Sequence, residues 1–218
     1  IEVLAWSYEA HLDALFNPDD GQMDELHDLR DRTGADFLCL IVENTDLSGN
    51  PLANCGIGYV MSAEFLGPEF EEAALSVVTR SCASSVWSFA HELGHNRGCA
   101  HNREDATIEG AYSYSFGHRF TGDDALGYRT VMAYDNAQED FERIPHFSNP
   151  NRSYQGQPTG GPVGQADEAH CALTHENTNA LCAGFRDEHT FVEFGWSGGS
   201  TGFIDAPYPD IAGGIGGS

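Results

Sequence analysis

At 218 residues with 40% hydrophobic side chains, the chain can bury a sizeable core, and no run approaches the ~18 apolar residues needed to span a bilayer. Ten basic residues, every one Arg, face 34 acidic ones, and the net charge of −24 repels nucleic acid and anionic membranes. The acidic surplus suits high salt, where self-repulsion is screened; calcium binding or lineage drift explains it equally well.

Six cysteines (Cys39, Cys55, Cys82, Cys99, Cys171, Cys182) contain no CxxC pair, which excludes a cysteine-only zinc site. Their even number implies disulfides and an oxidising, secreted setting, with buried free thiols as the alternative. The sequence opens on Ile1 without a charged-then-apolar leader, so a signal or pro-segment is expected to have been removed or to lie outside it.

In chain order, Ile1–Tyr8 reads as a strand, Asn17–Gly21 as a turn, and Met23–Arg32 as a helix. The apolar run Ala35–Val42 reads as a fully buried strand, and Glu43–Asn54 as a polar loop. Cys55–Met61 is a short strand, and Ala74–Thr79 another strand or a partly buried segment. Ser84 or Ser85 can cap a helix whose apolar face runs through Val86, Phe89, Ala90 and Leu93, and Gly98 supplies a left-handed stop. Glycine-rich and polar turns continue to Tyr128. Asp167–Phe185 reads as a second helix with Ala169, Leu173, Ala180 and Phe185 inward. There is no internal repeat. Residues 1–188 are expected to form one domain. The glycine-rich stretch 189–218 is either a linker or the stub of another domain, its aromatic and Ile content being high for a linker.

His91-Glu92-Leu93-Gly94-His95-Asn96-Arg97-Gly98-Cys99-Ala100-His101 fits HExxHxxGxxH. Two histidines four apart leave one helix face one turn apart, and Gly98 lets the chain turn sharply so that His101 returns as a third ligand. Three neutral imidazoles leave a fourth position open, as a catalytic Zn2+ site requires. Glu92, next to the first ligand, can act as general base without binding the metal.

That motif, followed by Thr130-Val131-Met132-Ala133-Tyr134, resembles the metzincin proteases, in which Met132 would be the Met-turn beneath the zinc ligands. Tyr134 would approach the zinc and help an oxyanion; an ordinary core or surface role is the alternative. Gly34–Asn44, Ser76–Gly98, Tyr112–Gly117, Arg129–Tyr134 and Arg143–Tyr154 extend the resemblance over much of Asn17–Arg186, to bacterial reprolysin-like metzincins and within them to peptidyl-Asp metalloendopeptidases.

The resemblance implies an α/β (α+β) metzincin catalytic domain, a twisted mixed sheet with an active-site helix and a C-terminal helix. With only 90 residues before His91, the family's N-terminal strand and long helix are expected to be lacking. It implies a secreted zinc-dependent endopeptidase acting on protein or peptide substrates, with Zn2+ as cofactor and calcium as a second candidate ion. The acidic charge and the lack of a long apolar run lead to the expectation of no nucleic-acid partner and no membrane insertion, and the oligomeric state is left open. The resemblance pairs Cys55 with Cys82 and leaves the other four cysteines unassigned. The strand Cys55–Met61 would offer its edge to an extended substrate. The stretch 189–218 resembles the opening of right-handed β-helix domains.

A preference for Asp after the scissile bond, also implied, calls for a cation near the Met-turn. Arg143, eleven residues past Met132, is the first candidate and Arg129 the second, with a structural ion pair of Arg143 to Asp140 or Glu142 as the competing role. The rivals are a non-catalytic binding or adhesion module, against which the intact Glu92 argues, and a broad-specificity metzincin.

Overall fold

Leu75–Thr79 (LSVVT) holds three consecutive β-branched residues, Val77, Val78 and Thr79, and all five residues are buried. The computed structural model describes residues 7–43, 55–135 and 140–186. Before this strand, β3, come α1 (Tyr8–Phe16), α2 (Glu25–Thr33), β1 (Leu38–Val42) and β2 (Gly56–Gly58). After it come α3 (Arg80–Ser85), α4 (Ser88–Asn96), β4 (Ala100–Asn102), β5 (Phe116–Gly117), β6 (Arg119–Thr121), β7 (Gly127–Arg129), β8 (Phe141–Arg143) and α5 (Cys171–Cys182). No helix of the described residues is long and apolar enough to cross a membrane.

The central sheet has the order β1-β3-β2, with β1 parallel and β2 antiparallel to β3. Side chains alternate across a strand. Leu75 and Val77 therefore join Tyr8, Leu12 and Leu15 of α1 in one core, with Ile57 of β2 packed against it. The other face, with Ser76 and Val78 opposite Gly58 and Gly56, receives α4. A second small sheet, β6-β7-β8, carries the segment beyond the helix, and β4 pairs with β5. The mixed α/β architecture is the one expected.

Several local expectations change. Tyr8 starts a helix, not the end of a strand: the Ser7 hydroxyl accepts the Ala10 N–H, and Tyr8, Leu12 and Leu15 recur at i, i+4 and i+7 on the buried side. Residues 1–6 lie outside the described residues, as do 44–54 of the expected polar loop and 189–218. The run Ala35–Val42 is not buried throughout, because β1 is an edge strand and Ile41 is 53% exposed. Ser84 and Ser85 do not cap the active-site helix. They lie in α3, and the chain breaks at Trp87, whose φ is 60°, before α4 begins. Val86 and Phe89 are consequently exposed, and α4 buries Ser88, His91, Glu92, His95 and Asn96 instead. In α5 the inward face is Cys171, Thr174, Thr178 and Cys182, whereas Ala180 is exposed. Those threonines satisfy polar neighbours: Thr178 Oγ1 donates to Arg97 O at 3.2 Å, and Thr174 and Ser115 share a 2.7 Å hydroxyl contact.

Cys55, just before β2, and Cys82 in α3 are joined by a disulfide. It closes a loop with a sequence separation of 27. Replacing both with Ala should lower unfolding stability by about 2–4 kcal/mol. Denaturant titration with and without reductant measures this, and a free Cys55 in an unreduced peptide map would contradict the pairing.

Candidate active site

α4 supplies the first two imidazoles, His91 and His95, from a helix face that is nearly fully buried. The chain then reverses at Gly98, whose φ of 90° is the left-handed conformation glycine adopts without a side-chain penalty. Cys99 N–H closes the turn on Gly94 O at 2.9 Å, and Ala100 N–H bonds Ser115 O at 2.7 Å. β4 thereby carries His101 back over the helix. His101 Nε2 lies 3.2 Å from His91 Nε2 and 3.0 Å from His95 Nε2.

The donor set fits a metal ion. His91 Nδ1 meets Val131 O and His95 Nδ1 meets Cys99 O, both at 2.8 Å. A carbonyl only accepts, so each Nδ1 carries the proton and each Nε2 turns a lone pair inward. Three inward nitrogens this close repel one another unless a cation lies among them. Tetrahedral zinc at ~2.0–2.1 Å from each nitrogen would separate them by about 3.3 Å, near the observed spacing. Burial lowers all three imidazole pKa values, with that of His95 at about 4 and that of His101 at about 3, so they are neutral ligands at pH 7. Among the described residues this is the only His/Cys/Asp/Glu cluster that could hold a metal.

Glu92 is 5% exposed on the same helix face. Burial pushes its carboxyl up to about 8, against the opposing pull of Arg143. Asn96, also on this face, donates from Nδ2 to Tyr59 O (2.9 Å) and Leu75 O (3.0 Å), fastening α4 to the sheet. Met132 is fully buried, with its sulfur under Gly94 between the two helical histidines. The Tyr134 ring centroid lies 3.8 Å from that of His101 and 5.9 Å from that of His91.

Arg143 and Arg129 reach the same cleft, whose volume is about 790 Å³ and whose lining also includes Gly56, Gly58, Val86, Ile108 and Tyr134. Arg143 donates to Val86 O at 2.9 Å and Ala133 O at 3.5 Å, and Arg129 to Phe141 O at 2.8 Å and Ala133 O at 3.0 Å. Among the described residues neither forms an ion pair, with Asp140 and Glu142 included, and Arg143 Nε has no partner. Burial, with Arg129 beside it, lowers Arg143 to about 10, which leaves it charged at neutral pH. The structure thus brings His91, Glu92, His95, His101, Tyr134, Arg129, Arg143 and Cys55 to the lining of one cleft, while Met132 is buried beneath Gly94 and Cys82 is not among the lining residues. Sequence reasoning missed Asn96, the carbonyls of Val131 and Cys99, and the glycines at 56 and 58. A carbonyl leaves no residue-type signal, whereas the glycines were visible as G-x-G in the strand.

The fold and site define an α/β protein with three histidines that could hold a metal ion in an open cleft, beside a buried carboxylate. The Reprolysin_5 model of metallo-peptidase family M12 matches residues 12–148, and the chain belongs to that family. Peptidyl-Asp metalloendopeptidase of Stenotrophomonas maltophilia (strain K279a) is 35% identical over 167 residues, covering 77% of this chain and 36% of the relative. Its namesake in Pseudomonas aeruginosa is 30% identical over 168 residues (72% of this chain, 27% of the relative), and that in Pseudomonas fragi 40% over 105 residues (48% and 62%). The chain thus spans about a third of the length of the first of these curated relatives. A chain in a solved structure of a chaperone-substrate complex superposes with a TM-score of 0.51 at 16% identity, covering 86% of this chain and 26% of that one, a likeness of fold alone.

The buried imidazoles set an acid limit on the metal-free protein. His175, packed edge-on against Phe147, is lowered by burial from 6.5 to about 3, close to His101 and His95. Between these values the unfolded chain binds more protons than the folded one, so stability rises with pH across the window. The stabilisation is complete above about pH 6.5 and is lost as pH falls towards about 3–4. Urea midpoints of the chelated protein should therefore drop between pH 7 and pH 5, and equal midpoints would contradict the burial of neutral histidines.

Proposed function

We propose that the chain is the catalytic part of a secreted zinc-dependent endopeptidase that cuts peptide bonds, with a preference for Asp after the scissile bond. The observation that carries this reading is the convergence of three imidazoles, two of them with their proton fixed on Nδ1 and both within 3.0–3.2 Å of His101 Nε2, beside the buried Glu92 in an open cleft. His91, His95 and His101 would hold the zinc. The chemistry zinc supplies in such a site is polarisation of the scissile carbonyl and acidification of water.

Glu92 accepts the proton of the attacking water and returns it to the leaving amine. Tyr134 stands beside the ligands, and burial, with Glu92 nearby, holds its phenol above the ordinary pKa, so it keeps its proton and can donate to an oxyanion. Backbone groups of β2, an edge strand, pair with an extended substrate. Secretion is supported by the Cys55–Cys82 disulfide.

The Asp preference rests on two supports. The relatives above are named peptidyl-Asp metalloendopeptidases. In this chain Arg143 and Arg129 face the cleft with no carboxylate partner among the described residues. A guanidinium in that state can hold a substrate carboxylate through two charge-assisted hydrogen bonds.

Glu92→Gln should retain zinc and lose nearly all turnover, while His101→Ala should lose zinc and activity together; full activity in either variant, assayed on a denatured protein with and without chelator, refutes the assignment. For specificity, peptides differing only in Asp or Leu after the cut bond are compared in wild type and Arg143→Ala. The variant should lose about 2–5 kcal/mol of discrimination on the Asp peptide alone. Equal cleavage of both peptides by wild type would sink the preference, and a preference retained by the variant would shift the role to Arg129.

A further inference from the structure

β2 is three residues long, Gly-Ile-Gly, and two of the three lack side chains. Glycine in a strand interior weakens it, because it brings conformational entropy and nothing to pack. Neither Gly56 nor Gly58 has the positive φ that would require glycine, although five other glycines in the described residues do. The backbone conformation does not explain them; what lies against them does.

Gly56 and Gly58 are two apart, so both turn to the same face, and register places them opposite Val78 and Ser76 of β3. Ile57, between them, turns the other way into the core with α1. The glycine face is the one α4 packs on, and the residue of α4 lying against it is Glu92. A Cβ on Gly56 would stand 2.8 Å from Glu92 Oε1 and 2.9 Å from its Cγ, and also 2.8 Å from Val77 O. A Cβ on Gly58 would stand 3.3 Å from Glu92 Oε2, from Glu92 O and from Ser76 Cβ. The first spacing is one that real atoms do not hold; the second is tight enough that a neighbour must give way. Glu92 is otherwise enclosed at 5% exposure, so a displaced carboxylate could move only towards the metal ligands or out into the cleft.

We infer that Gly56 and Gly58 are positioning residues for Glu92: the strip of bare backbone they leave on β2 is the seat that fixes the carboxylate beside the imidazoles. The inference rests on the reading of Glu92 as the base. It also explains why the strand facing Glu92 is two-thirds glycine: a side chain at either position would occupy the seat.

The test compares Gly56→Ala, Gly58→Ala and Glu92→Gln in the full chain, reading kcat, KM, bound zinc per chain and thermal midpoint. Displacing a catalytic group by about an ångström can cost on the order of a hundredfold. Gly56→Ala should therefore lower kcat by roughly ten- to a hundredfold and Gly58→Ala by less, with KM within about twofold of wild type and full zinc occupancy in both. Because the Gly56 Cβ also crowds Val77 O, Gly58→Ala decides alone if Gly56→Ala fails to fold. Wild-type kcat in the folded glycine variants overturns the inference, provided Glu92→Gln is inactive. Loss of zinc or a rise in KM parallel to the fall in kcat also overturns it, since a merely structural role would give that pattern. Substantial turnover by Glu92→Gln defeats the reading of the base instead, and the two failures are thereby distinguished.

Discussion

The organising constraint is that α4 buries a polar face. Ser88, His91, Glu92, His95 and Asn96 are each 5% exposed or less, and a buried polar group left without a partner costs roughly 1–3 kcal/mol. Much of the surrounding structure supplies partners. Asn96 takes the carbonyls of Tyr59 and Leu75, so the sheet is bound to the helix by its most buried amide. His91 takes the carbonyl of Val131, and His95 that of Cys99. Each bond satisfies a donor, fixes a tautomer and aims an Nε2, so folding and ligand geometry share the same contacts.

The carbonyl on His95 belongs to the turn that leaves the helix, and that turn is held from outside by α5. Arg97 donates to His175 O at 3.0 Å and to the Asn179 side chain, while Thr178 donates to Arg97 O at 3.2 Å. The Cys99 sulfur lies 3.2 Å from His175 Nε2. α5 contributes no residue to the histidine cluster, yet its inward threonines and histidine hold the turn that orients His95 and returns His101. This is why its buried face is polar where a core-facing helix would ordinarily be aliphatic. Cys99, Val131, Met132 and Cys171 form one small cluster, so both carbonyls that orient histidines come from residues of a single patch of core.

What the sequence made legible follows from this division. His91, Glu92, His95 and His101 were readable because their spacing is set by one helix turn and one glycine stop, both local. β3 was readable from an apolar, β-branched run. Hydrophobic periodicity misplaced the buried face of α4, because it assigns apolar residues inward; here Val86 and Phe89 are exposed while two histidines, a glutamate and an asparagine are buried. For the segment Asp167–Phe185 it was right at Ala169 and Phe185, both buried, but the helix is only Cys171–Cys182, Ala180 is exposed, and Thr174 and Thr178 are inward instead. The helix α1 was lost between a strand reading and a turn, although Tyr8, Leu12 and Leu15 carried its period. The carbonyl partners of His91 and His95 were beyond reach, since every residue has a carbonyl and only the fold selects which one arrives.

Charge is the remaining thread, and it separates by range. The chain carries 34 acidic against 10 basic residues, so at a distance it repels anything acidic. Beyond a Debye length of ~8–10 Å that repulsion is screened at physiological salt. Inside the cleft the sign changes. Arg80, Arg103, Arg119 and Arg186 pair with carboxylates, whereas Arg129 and Arg143 spend their described bonds on backbone carbonyls. A carbonyl accepts a hydrogen bond without neutralising the guanidinium, so these two hold their geometry and keep their charge uncompensated by a contacting carboxylate. Two charged guanidiniums thus face the cleft lined by the three histidines, in a chain with a net charge of −24.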